Sequence, residues 1–366
     1  MNKPVAWMDL NRQYEKYKNE FISALENVCA DTAFSGGHYV SRFEKEFSAY
    51  CNAIAASGVN SGTSALFLAM KALGITEGNE VIVPANTFIA TAWGVCHNGA
   101  TPVFVDIHPD TFEIDASKIE AKITSKTKAI VGVHLYGQPF DVDTVRQIAQ
   151  AYDLFLIEDS AQAHGALYKG KRIGCLGDIG CFSFYPSKNL GAFGEAGAVV
   201  SNNLSWIQKI NRYRNQGASA KYIHETMGYN MRMDGLQGAI LSCKLKYLDE
   251  WNHRRREIAL EYMKKINSPR IKLQAQPAWS KSVFHLFVIE ADDKKAFLQH
   301  LDANNIGYGQ HYPVPCHLQP VFKELGYRTG DLPYSEYHAR HCVSLPLYPE
   351  LTDEEVSAII SVCNSF

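Results

Sequence analysis

The chain has 366 residues and nearly balanced charge, with 36 Lys plus Arg against 38 Asp plus Glu. At about 150 residues per domain this length predicts two domains, and a net charge of −2 gives no electrostatic basis for general binding to nucleic acid or anionic lipid. No stretch approaches about 18 uninterrupted apolar residues, and the N-terminus lacks the apolar core of a signal peptide. The composition predicts a cytoplasmic protein that neither crosses a membrane nor binds nucleic acid.

The nine cysteines form no CxxC pair, and no histidine cluster completes a zinc-binding spacing. An odd, scattered set is typical of reduced thiols, most of them buried as small apolar side chains. Charged residues make up 20% of the chain, below the roughly 25% of average soluble domains. Such depletion is typical of a large core or of a buried subunit interface. Because the cysteine and histidine spacings of metal sites are missing, the sequence predicts no metal site.

The apolar pattern changes along the chain. Apolar residues at helical spacing predict helices over 15–30 and 40–51. From about residue 57 to 200, short apolar runs alternate with longer amphipathic segments, which predicts a mostly parallel sheet covered by helices on both faces. The predicted strands fall at 80–84, 101–106, 128–135, 154–159, 178–186 and 196–202, and helices between them at 63–74, 87–98 and 141–153.

The remaining chain begins with one long predicted helix over 234–265. An apolar run at 282–290, a predicted helix at 294–304 and a proline-rich closing section follow it. We place a domain boundary near the middle of the long helix. This gives a large domain over 1–248 and a small C-terminal domain over 249–366.

Several familiar signatures are missing or incomplete. No GxGxxG follows a predicted strand, so the dinucleotide-binding fingerprint is absent. GALYKGKR (165–172) has Arg172 where a nucleotide phosphate loop has Ser or Thr, and it does not directly follow an apolar strand, so a hairpin turn is favoured. His338 and His341 share a helix face with no acidic neighbour, which favours a solvated helix over a metal site.

A turn of small residues, VNSGTSAL (59–66), opens a predicted helix. Gly62, Thr63 and Ser64 would present backbone N–H groups and hydroxyls at the positive end of that helix, which suits a phosphate. Ser or Thr is also the ordinary residue at a helix N-cap. By itself the turn is therefore more typical of a plain cap than of a phosphate site.

Two carboxylates, Glu158 and Asp159, directly follow the apolar run LFLI. They are predicted at the C-terminal end of a buried strand, the edge at which open α/β sheets bind ligands. A buried carboxylate stays charged there only beside a cation or several hydrogen-bond donors. A solvated strand end is the alternative.

Lys188 lies between an aromatic run and a glycine-rich segment in CFSFYPSKNLGAFGEAGAVV (181–200). Most lysines are solvated, but one among buried neighbours needs a partner or a chemical task. Desolvation lowers the pKa of a lysine and makes its amine available for a Schiff base. A phosphate cup, a carboxylate after a strand and such a lysine are the parts that pyridoxal 5'-phosphate needs.

At these residues the chain resembles the DegT/StrS-type sugar aminotransferases, a branch of the fold-type-I pyridoxal phosphate enzymes. The resemblance implies an α/β fold, with a mostly parallel seven-stranded sheet between helices in the large domain and a smaller C-terminal α+β domain. The matching strings run in order over almost the whole chain: NSGTSAL (60–66), VIVPANTFIATA (81–92), FVDIHPDTFEID (104–115), HLYGQPFD (134–141), IEDSAQAHGA (157–166), FSFYPSKNLGAFGEAGAV (182–199), GYNMRMDGLQGAI (228–240) and HYPVPCHLQP (311–320).

The resemblance also implies roles for individual residues. Lys188 is implied to form the Schiff base with the cofactor aldehyde, and Asp159 to pair with the pyridine nitrogen. The other implied cofactor contacts are Gly62, Thr63 and Ser183 at the phosphate, Gln162 beside the phenolic oxygen, Phe88 stacked on the ring, and Asn230 at the phosphate of the neighbouring subunit. Asn230 thereby implies a homodimer with shared active sites. A core position at a helix start is the alternative for Phe88.

The implied substrate contacts are less specific than those to the cofactor. Arg232 is implied to meet a carboxylate or phosphate, with an intramolecular ion pair as the alternative. The full implied set is Tyr185, Arg232, His311, Tyr312 and His317.

The resemblance implies a pyridoxal phosphate-dependent aminotransferase that converts a nucleotide-linked keto sugar to an amino sugar. HLYGQ with KNLGAFGEAG is more similar to the branch acting on 3-keto sugars. The favoured substrate is therefore a dTDP-linked 3-keto-6-deoxyhexose, with L-glutamate as donor and 2-oxoglutarate as the released keto acid. The alternatives are an aminotransferase for a 4-keto or keto-uronic nucleotide sugar, and a cofactor-bearing regulatory or binding protein without transaminase activity.

Overall fold

The structure is a computed structural model that describes residues 4–366. The elements up to residue 201 are α1 (Leu10–Ala30), α2 (Gly37–Tyr50), β1 (Ala55–Val59), α3 (Gly62–Ala72), β2 (Glu80–Pro84), α4 (Ala90–Cys96), β3 (Thr101–Val105), β4 (Thr127–Val133), α5 (Val142–Ala151), β5 (Phe155–Asp159), β6 (Leu167–Tyr168), β7 (Lys171–Arg172), β8 (Ile179–Ser183) and β9 (Gly197–Ser201). Those that follow are α6 (Leu204–Arg214), β10 (Ala218–Ala220), β11 (Ile223–His224), α7 (Gly235–Leu245), α8 (Leu248–Lys265), β12 (Ile271–Leu273), β13 (Ser280–Lys281), β14 (Phe287–Ala291), α9 (Lys294–Ala303), α10 (Pro333–His341), β15 (Cys342–Leu345) and α11 (Asp353–Asn364).

A seven-stranded sheet with the order β1-β9-β8-β5-β4-β2-β3 forms the centre of the fold. Only β9 runs against its neighbours, and the other strands are parallel to one another. Alternate side chains of β2 enter two different apolar clusters: Val81 and Val83 pack with α3 and α4, whereas Ile82 packs with α2 and α5. Helices therefore cover both faces, and the predicted α/β fold with its mostly parallel seven-stranded sheet is confirmed.

Strand β1 has no counterpart in the predicted set. Its residues, AASGV, are small and lack the β-branched run that marks the other strands. It is nonetheless paired along all five residues with β9, from Ala55 opposite Ser201 to Val59 opposite Gly197. Pairing with a distant strand, which no local pattern shows, makes this segment a strand.

The predicted single helix over 234–265 is wrong. α7 ends at Leu245 and α8 begins at Leu248. Tyr247, at the break, packs its ring 4.5 Å from that of Tyr17 in α1, and its hydroxyl donates to Glu20 Oε1 at 2.5 Å. The break thus coincides with contacts to another helix, and the apolar spacing continues across it without Gly or Pro.

A third apolar cluster surrounds the three-stranded antiparallel sheet β12-β14-β15. α8, α9 and α11 contribute to that cluster, as does Val5 from the start of the chain. Val5 also bridges to Ile306, so the described N-terminus lies against the C-terminal part. The predicted division at residue 248 coincides with the first residue of α8 and stays a prediction.

The two further predictions for local segments had different outcomes. GALYKGKR forms a hairpin, in which β6 pairs antiparallel with β7, as predicted. The prediction that His338 is solvated is wrong, because it is buried in α10 with Nδ1 2.8 Å from Glu290 Oε1 and Nε2 3.1 Å from the Tyr136 hydroxyl. The acidic neighbour comes from β14, so helical spacing did not reveal it. His341 is partly exposed.

None of the helices within residues 4–366 combines the length and apolar character needed to cross a bilayer. All nine cysteines are free thiols, and six of them are buried. This agrees with their interpretation as reduced, mostly buried side chains.

Candidate active site

Most of the predicted site residues converge on one cavity of about 540 Å³. Asp159 ends β5, Ser183 ends β8, and Gly62 begins the helix that follows β1. Because these strands are parallel, their carboxyl ends meet at the same edge of the sheet, where α/β folds bind ligands. Ten predicted residues line the cavity: Gly62, Thr63, Phe88, Asp159, Gln162, Ser183, Tyr185, Lys188, His311 and Tyr312.

The start of α3 forms one wall of the cavity. Ser61 is its N-cap, and the Ser61 hydroxyl accepts the Ser64 N–H at 3.1 Å, so the turn is an ordinary cap as well as part of the cavity. Gly62 and Thr63 occupy the first helical turn, whose N–H groups have no intrahelical acceptor. A Cβ on Gly62 would lie 2.6 Å from Ser183 Cβ. Glycine therefore lets the helix start approach the end of β8.

Asp159 lies buried at the base of the cavity. Its Oδ2 accepts from the Thr91 hydroxyl at 2.7 Å, and its Oδ1 accepts from the Ala161 N–H at 3.2 Å. Burial raises the pKa of Asp159, while these hydrogen bonds and the Lys188 charge oppose the rise. A carboxyl group with a hydroxyl and one N–H as its direct donors suits a cationic ligand.

Lys188 lies on the cavity wall with part of its side chain exposed to the cavity. Burial lowers the pKa of its amine to about 8, although the charge of Asp159 acts in the opposite direction. Its Nζ lies 3.4 Å from Nε2 of His285. The neutral, nucleophilic form of this amine is therefore more populated near neutral pH than in an ordinary lysine.

Gln162 is held in one orientation by its two hydrogen bonds. The Tyr136 backbone N–H donates to Gln162 Oε1 at 2.7 Å, and Gln162 Nε2 donates to the Tyr312 hydroxyl at 2.9 Å. Phe88, across the cavity, has its ring 5.9 Å from that of Tyr312 and is 50% exposed. The core alternative for Phe88 is therefore wrong.

Three predicted residues do not line this cavity. Asn230 is exposed and forms a backbone bridge with Asn215. Arg232 donates to the Asn215 side-chain oxygen at 3.0 Å, so this contact is with a neutral amide and is not the intramolecular ion pair given as the alternative. His317 is buried, with Nε2 3.3 Å from Glu336 Oε1.

The structure adds residues to the cavity that the sequence patterns did not identify. Trp7, Glu195 and His285 line it, and Thr91 supports Asp159 from α4. A histidine inside the apolar run SVFHLFVIE is the one available signal among these, because an isolated polar residue in a buried run needs a partner. Trp7 and Thr91 lie in segments with no distinguishing pattern.

Glu158 does not share the position of its neighbour Asp159, because successive side chains of a strand point to opposite faces. It is buried with Oε2 2.9 Å from His134 Nε2, and it accepts the N–H groups of Gly174 and Gly177 at 2.7 Å each. Burial favours a higher pKa, but His134 and these N–H groups outweigh it, so the pKa of Glu158 is lowered. One predicted carboxylate thus lies in the cavity and the other holds the fold together.

Glu158→Gln is expected to lower the free energy of unfolding by about 3–5 kcal/mol at pH 7, because it breaks a buried pair and turns amide hydrogens toward backbone donors. A folded-state pKa below the unfolded value means that Glu158 adds stability above about pH 4.5 and loses it as the pH falls further. Urea unfolding at pH 7 and at pH 4 measures both effects. If the wild type and Glu158→Gln differ in free energy of unfolding by the same amount at both pH values, the lowered pKa assigned to Glu158 is contradicted.

The family model described as the DegT/DnrJ/EryC1/StrS aminotransferase family matches residues 15–364. The chain belongs to this family. It is therefore an aminotransferase, and the predicted family is confirmed by a match that extends over nearly the whole chain.

The relatives of this aminotransferase match it over almost their full length. It is 41% identical over 369 residues to a "pleiotropic regulatory protein" of Geobacillus stearothermophilus, covering 100% of this chain and 99% of the relative. It is 42% identical over 357 residues to a dTDP-3-amino-3,4,6-trideoxy-alpha-D-glucose transaminase of Streptomyces venezuelae, covering 97% and 94%.

The aminotransferase is also similar to a solved structure of S. venezuelae DesV in complex with a ketimine intermediate. The TM-score is 0.98 at 41% identity, covering 100% of this chain and 98% of that chain. The similarity of the two folds agrees with the topology described above.

Proposed function

We propose that this aminotransferase binds pyridoxal 5'-phosphate and transfers an amino group from L-glutamate to a nucleotide-linked keto sugar. The observation that carries the proposal is the meeting of Lys188, Asp159 and the start of α3 in one cavity. The favoured sugar is a dTDP-linked 3-keto-6-deoxyhexose, because the Streptomyces venezuelae relative is named for a dTDP sugar aminated at C3. The choices of L-glutamate and of a cytoplasmic location rest on the family resemblance and the sequence.

The residues present fit this cofactor. A ring N–H⁺ would give Asp159 the cationic partner that its buried position lacks among its direct contacts. The first turn of α3 and the Ser183 hydroxyl offer donors to a phosphate and line the same cavity as that carboxyl group. The lowered pKa of the Lys188 amine suits reversible bonding to an aldehyde.

When bound, pyridoxal 5'-phosphate supplies a carbonyl that condenses with amines and a ring that withdraws electrons from the amino carbon. The Lys188 amine takes the proton from the amino carbon of the donor as a general base. In the sugar half-reaction Lys188 returns a proton to the carbon that becomes aminated. Asp159 holds its positive partner in place throughout, and the hydrogen bond from Gln162 fixes the orientation of the Tyr312 hydroxyl.

Asn230 is proposed to complete the site of a second subunit in a homodimer. Its segment presents large apolar side chains to solvent in the single chain, with Tyr222 85% and Met227 84% exposed. Exposed apolar clusters of this kind are typical of protein interfaces. Tyr185, His311 and Tyr312, which line the cavity, are proposed to face the sugar nucleotide from the same chain. Arg232 and His317 do not line the cavity, so their positions do not support a contact with the sugar nucleotide.

Gly62→Ala is expected to weaken cofactor binding about tenfold or more, because the added methyl group forces α3 away from Ser183 at an overpacking cost of about 1–3 kcal/mol. Fluorescence titration of the cofactor-free protein with pyridoxal 5'-phosphate measures the effect. Thermal unfolding of the same cofactor-free variant is the control. A defect confined to the phosphate-binding start of α3 changes the affinity for the cofactor more than the stability of the protein. Unchanged affinity would show that the helix start does not hold the phosphate.

Turnover of a panel of nucleotide keto sugars tests the substrate proposal. The panel contains a dTDP-3-keto-6-deoxyhexose, its 4-keto isomer and a UDP-linked keto-uronic acid, each with L-glutamate. We expect the 3-keto sugar to be aminated fastest, with the amine at C3 in the NMR spectrum of the product. Faster turnover of either other sugar would replace the favoured substrate with that alternative.

The name of the Geobacillus stearothermophilus relative keeps a regulatory function as a second candidate. A regulatory protein that only carries the cofactor would keep its visible absorbance when an amino donor is added. Amination of any sugar in the panel excludes this candidate as the sole function. Failure of the whole panel, with the cofactor bound and unchanged by donors, would favour it.

A further inference from the structure

His285 lies against the reactive amine without a role in the chemistry described so far. It is buried in the segment between β13 and β14, and its Nε2 is 3.4 Å from Lys188 Nζ. Its other nitrogen, Nδ1, lies 3.2 Å from the side-chain oxygen of Asn189, the residue after Lys188. A histidine between two such groups acts differently according to which nitrogen carries the hydrogen.

The surrounding hydrogen bonds determine that assignment. Asn252 Nδ2 faces the backbone carbonyl of His164 at 2.8 Å, and a carbonyl only accepts. Asn252 Oδ1 is thereby left to accept from Asn189 Nδ2 at 2.8 Å, and the same Nδ2 also donates to the carbonyl of Val283 at 3.0 Å. Both amide hydrogens of Asn189 are used, so its oxygen accepts from His285. Nδ1 of His285 therefore carries the hydrogen.

The same surroundings keep His285 neutral. Burial lowers the pKa of its ring, and the charges of Lys188 and Arg255, with His311 and His164 nearby, oppose a second proton. Arg255 also holds the segment in place, because its Nη1 donates to the carbonyls of Leu347 at 2.8 Å and of His285 at 3.4 Å. A neutral ring with its hydrogen on Nδ1 directs the bare lone pair of Nε2 at the Lys188 amine.

We propose that His285 is a positioning residue, whose Nε2 accepts a hydrogen bond from Lys188 Nζ and aims the amine at the substrate carbon. The separation of 3.4 Å is long for such a bond, and the flexible four-carbon stem of a lysine leaves its amine free to move closer. One fixed N–H restricts an amine that otherwise rotates freely, which is how pre-organisation accelerates proton transfer. The proposal rests on the function of Lys188 as the proton carrier.

The first test uses the cofactor-free protein and therefore does not depend on catalysis. The pH dependence of acetylation of Lys188 by acetic anhydride, followed by peptide mass spectrometry, gives the pKa of its amine. His285→Leu is expected to make the ammonium form about tenfold less stable, because a hydrogen bond to a charged group is lost. His285→Gln places an amide oxygen near the position of Nε2 and is expected to restore most of the effect.

The second test uses the loaded enzyme in a single turnover with L-glutamate. His285→Leu is expected to slow the donor half-reaction about tenfold with little change in KM, and His285→Gln to recover most of the rate. A leucine variant that matches the wild type in both the amine pKa and the rate would overturn the proposal. If instead the wild type binds the cofactor and no donor reacts, the function proposed above fails, while the acetylation result still judges the His285 contact.

A measurement on the wild-type chain keeps the proposal testable if His285→Leu does not fold. Nitrogen NMR of the cofactor-free protein labelled at histidine distinguishes a ring nitrogen with a hydrogen from one without. We expect His285 to carry its hydrogen on Nδ1 and to have a bare Nε2. A hydrogen on Nε2 would overturn the proposal, because that nitrogen could then only donate a hydrogen bond and could not accept one from Lys188 Nζ.

Discussion

Lys188→Ala is expected to remove the visible Schiff-base absorbance of the purified protein and to lower turnover by about 10³-fold or more. The variant lacks both the amine that bonds the cofactor aldehyde and the group that carries the proton between carbon atoms. No neighbouring lysine can substitute, since among the described residues Lys188 is the one lysine that lines the cavity. Absorbance spectra before and after borohydride treatment, together with turnover, measure the loss.

Lys169→Ala is the matched control for this experiment. Lys169 is exposed, pairs with Asp143 at 2.6 Å and is not one of the residues that line the cavity. Its removal is expected to leave absorbance and turnover unchanged. A Lys188→Ala protein that keeps a band bleached by borohydride would show that another amine holds the cofactor.

Asp159→Asn is expected to lower turnover by about 10²-fold or more while some cofactor still binds. The buried carboxylate stabilises positive charge on the ring nitrogen, and loss of one partner of a buried charge pair costs about 2–5 kcal/mol. An asparagine keeps the shape and can still accept the Thr91 hydroxyl, so the variant changes charge more than packing. Turnover and cofactor content of the same preparation measure both effects.

Glu158→Gln provides the matched control, because the two carboxylates are adjacent in sequence and both are buried. The change at Glu158 is expected to reduce stability and to leave the turnover of the folded enzyme nearly intact. Asp159→Asn is expected to lower turnover strongly and to change stability little. Near-normal turnover in Asp159→Asn would remove Asp159 from its proposed role.

The parts of the site that were predicted from the sequence are those with a local signature. Lys188 was identified by a lysine between apolar and glycine-rich segments, and Asp159 by a carboxylate at the end of an apolar run. The family resemblance supplied the other cofactor contacts, and Gly62, Ser183 and Gln162 all line the cavity. Local pattern and resemblance together therefore located the centre of the site.

The parts that were missed depend on contacts between distant segments. His285 meets Lys188 from 97 residues along the chain, and Thr91 supports Asp159 from 68 residues away. Helical spacing likewise did not reveal that Glu290 pairs with His338 from another element. Side-chain alternation in β5 separates Glu158 from Asp159, but the sequence alone does not show which of the two faces the ligand.

The elements of the fold also divide into those that local sequence patterns predicted and those that depend on contacts between distant segments. The apolar runs between residues 80 and 202 predicted the central strands, whereas β1 is formed by weakly apolar residues that become a strand through pairing with β9. The break between α7 and α8 coincides with the contact of Tyr247 with α1. Local hydrophobicity thus predicts the layers of this fold, and tertiary contacts set their exact extent.

The transfer of labelled nitrogen tests the central claim most directly. The cofactor-loaded enzyme is mixed with ¹⁵N-labelled L-glutamate and a dTDP-3-keto-6-deoxyhexose, while the visible absorbance is followed and the products are analysed by mass spectrometry. We expect the Schiff-base band to disappear with glutamate alone, to return when the sugar is added, and the amino sugar to carry the label. A band that no amino donor changes, with no amino sugar formed from any keto sugar of the panel, would contradict the account.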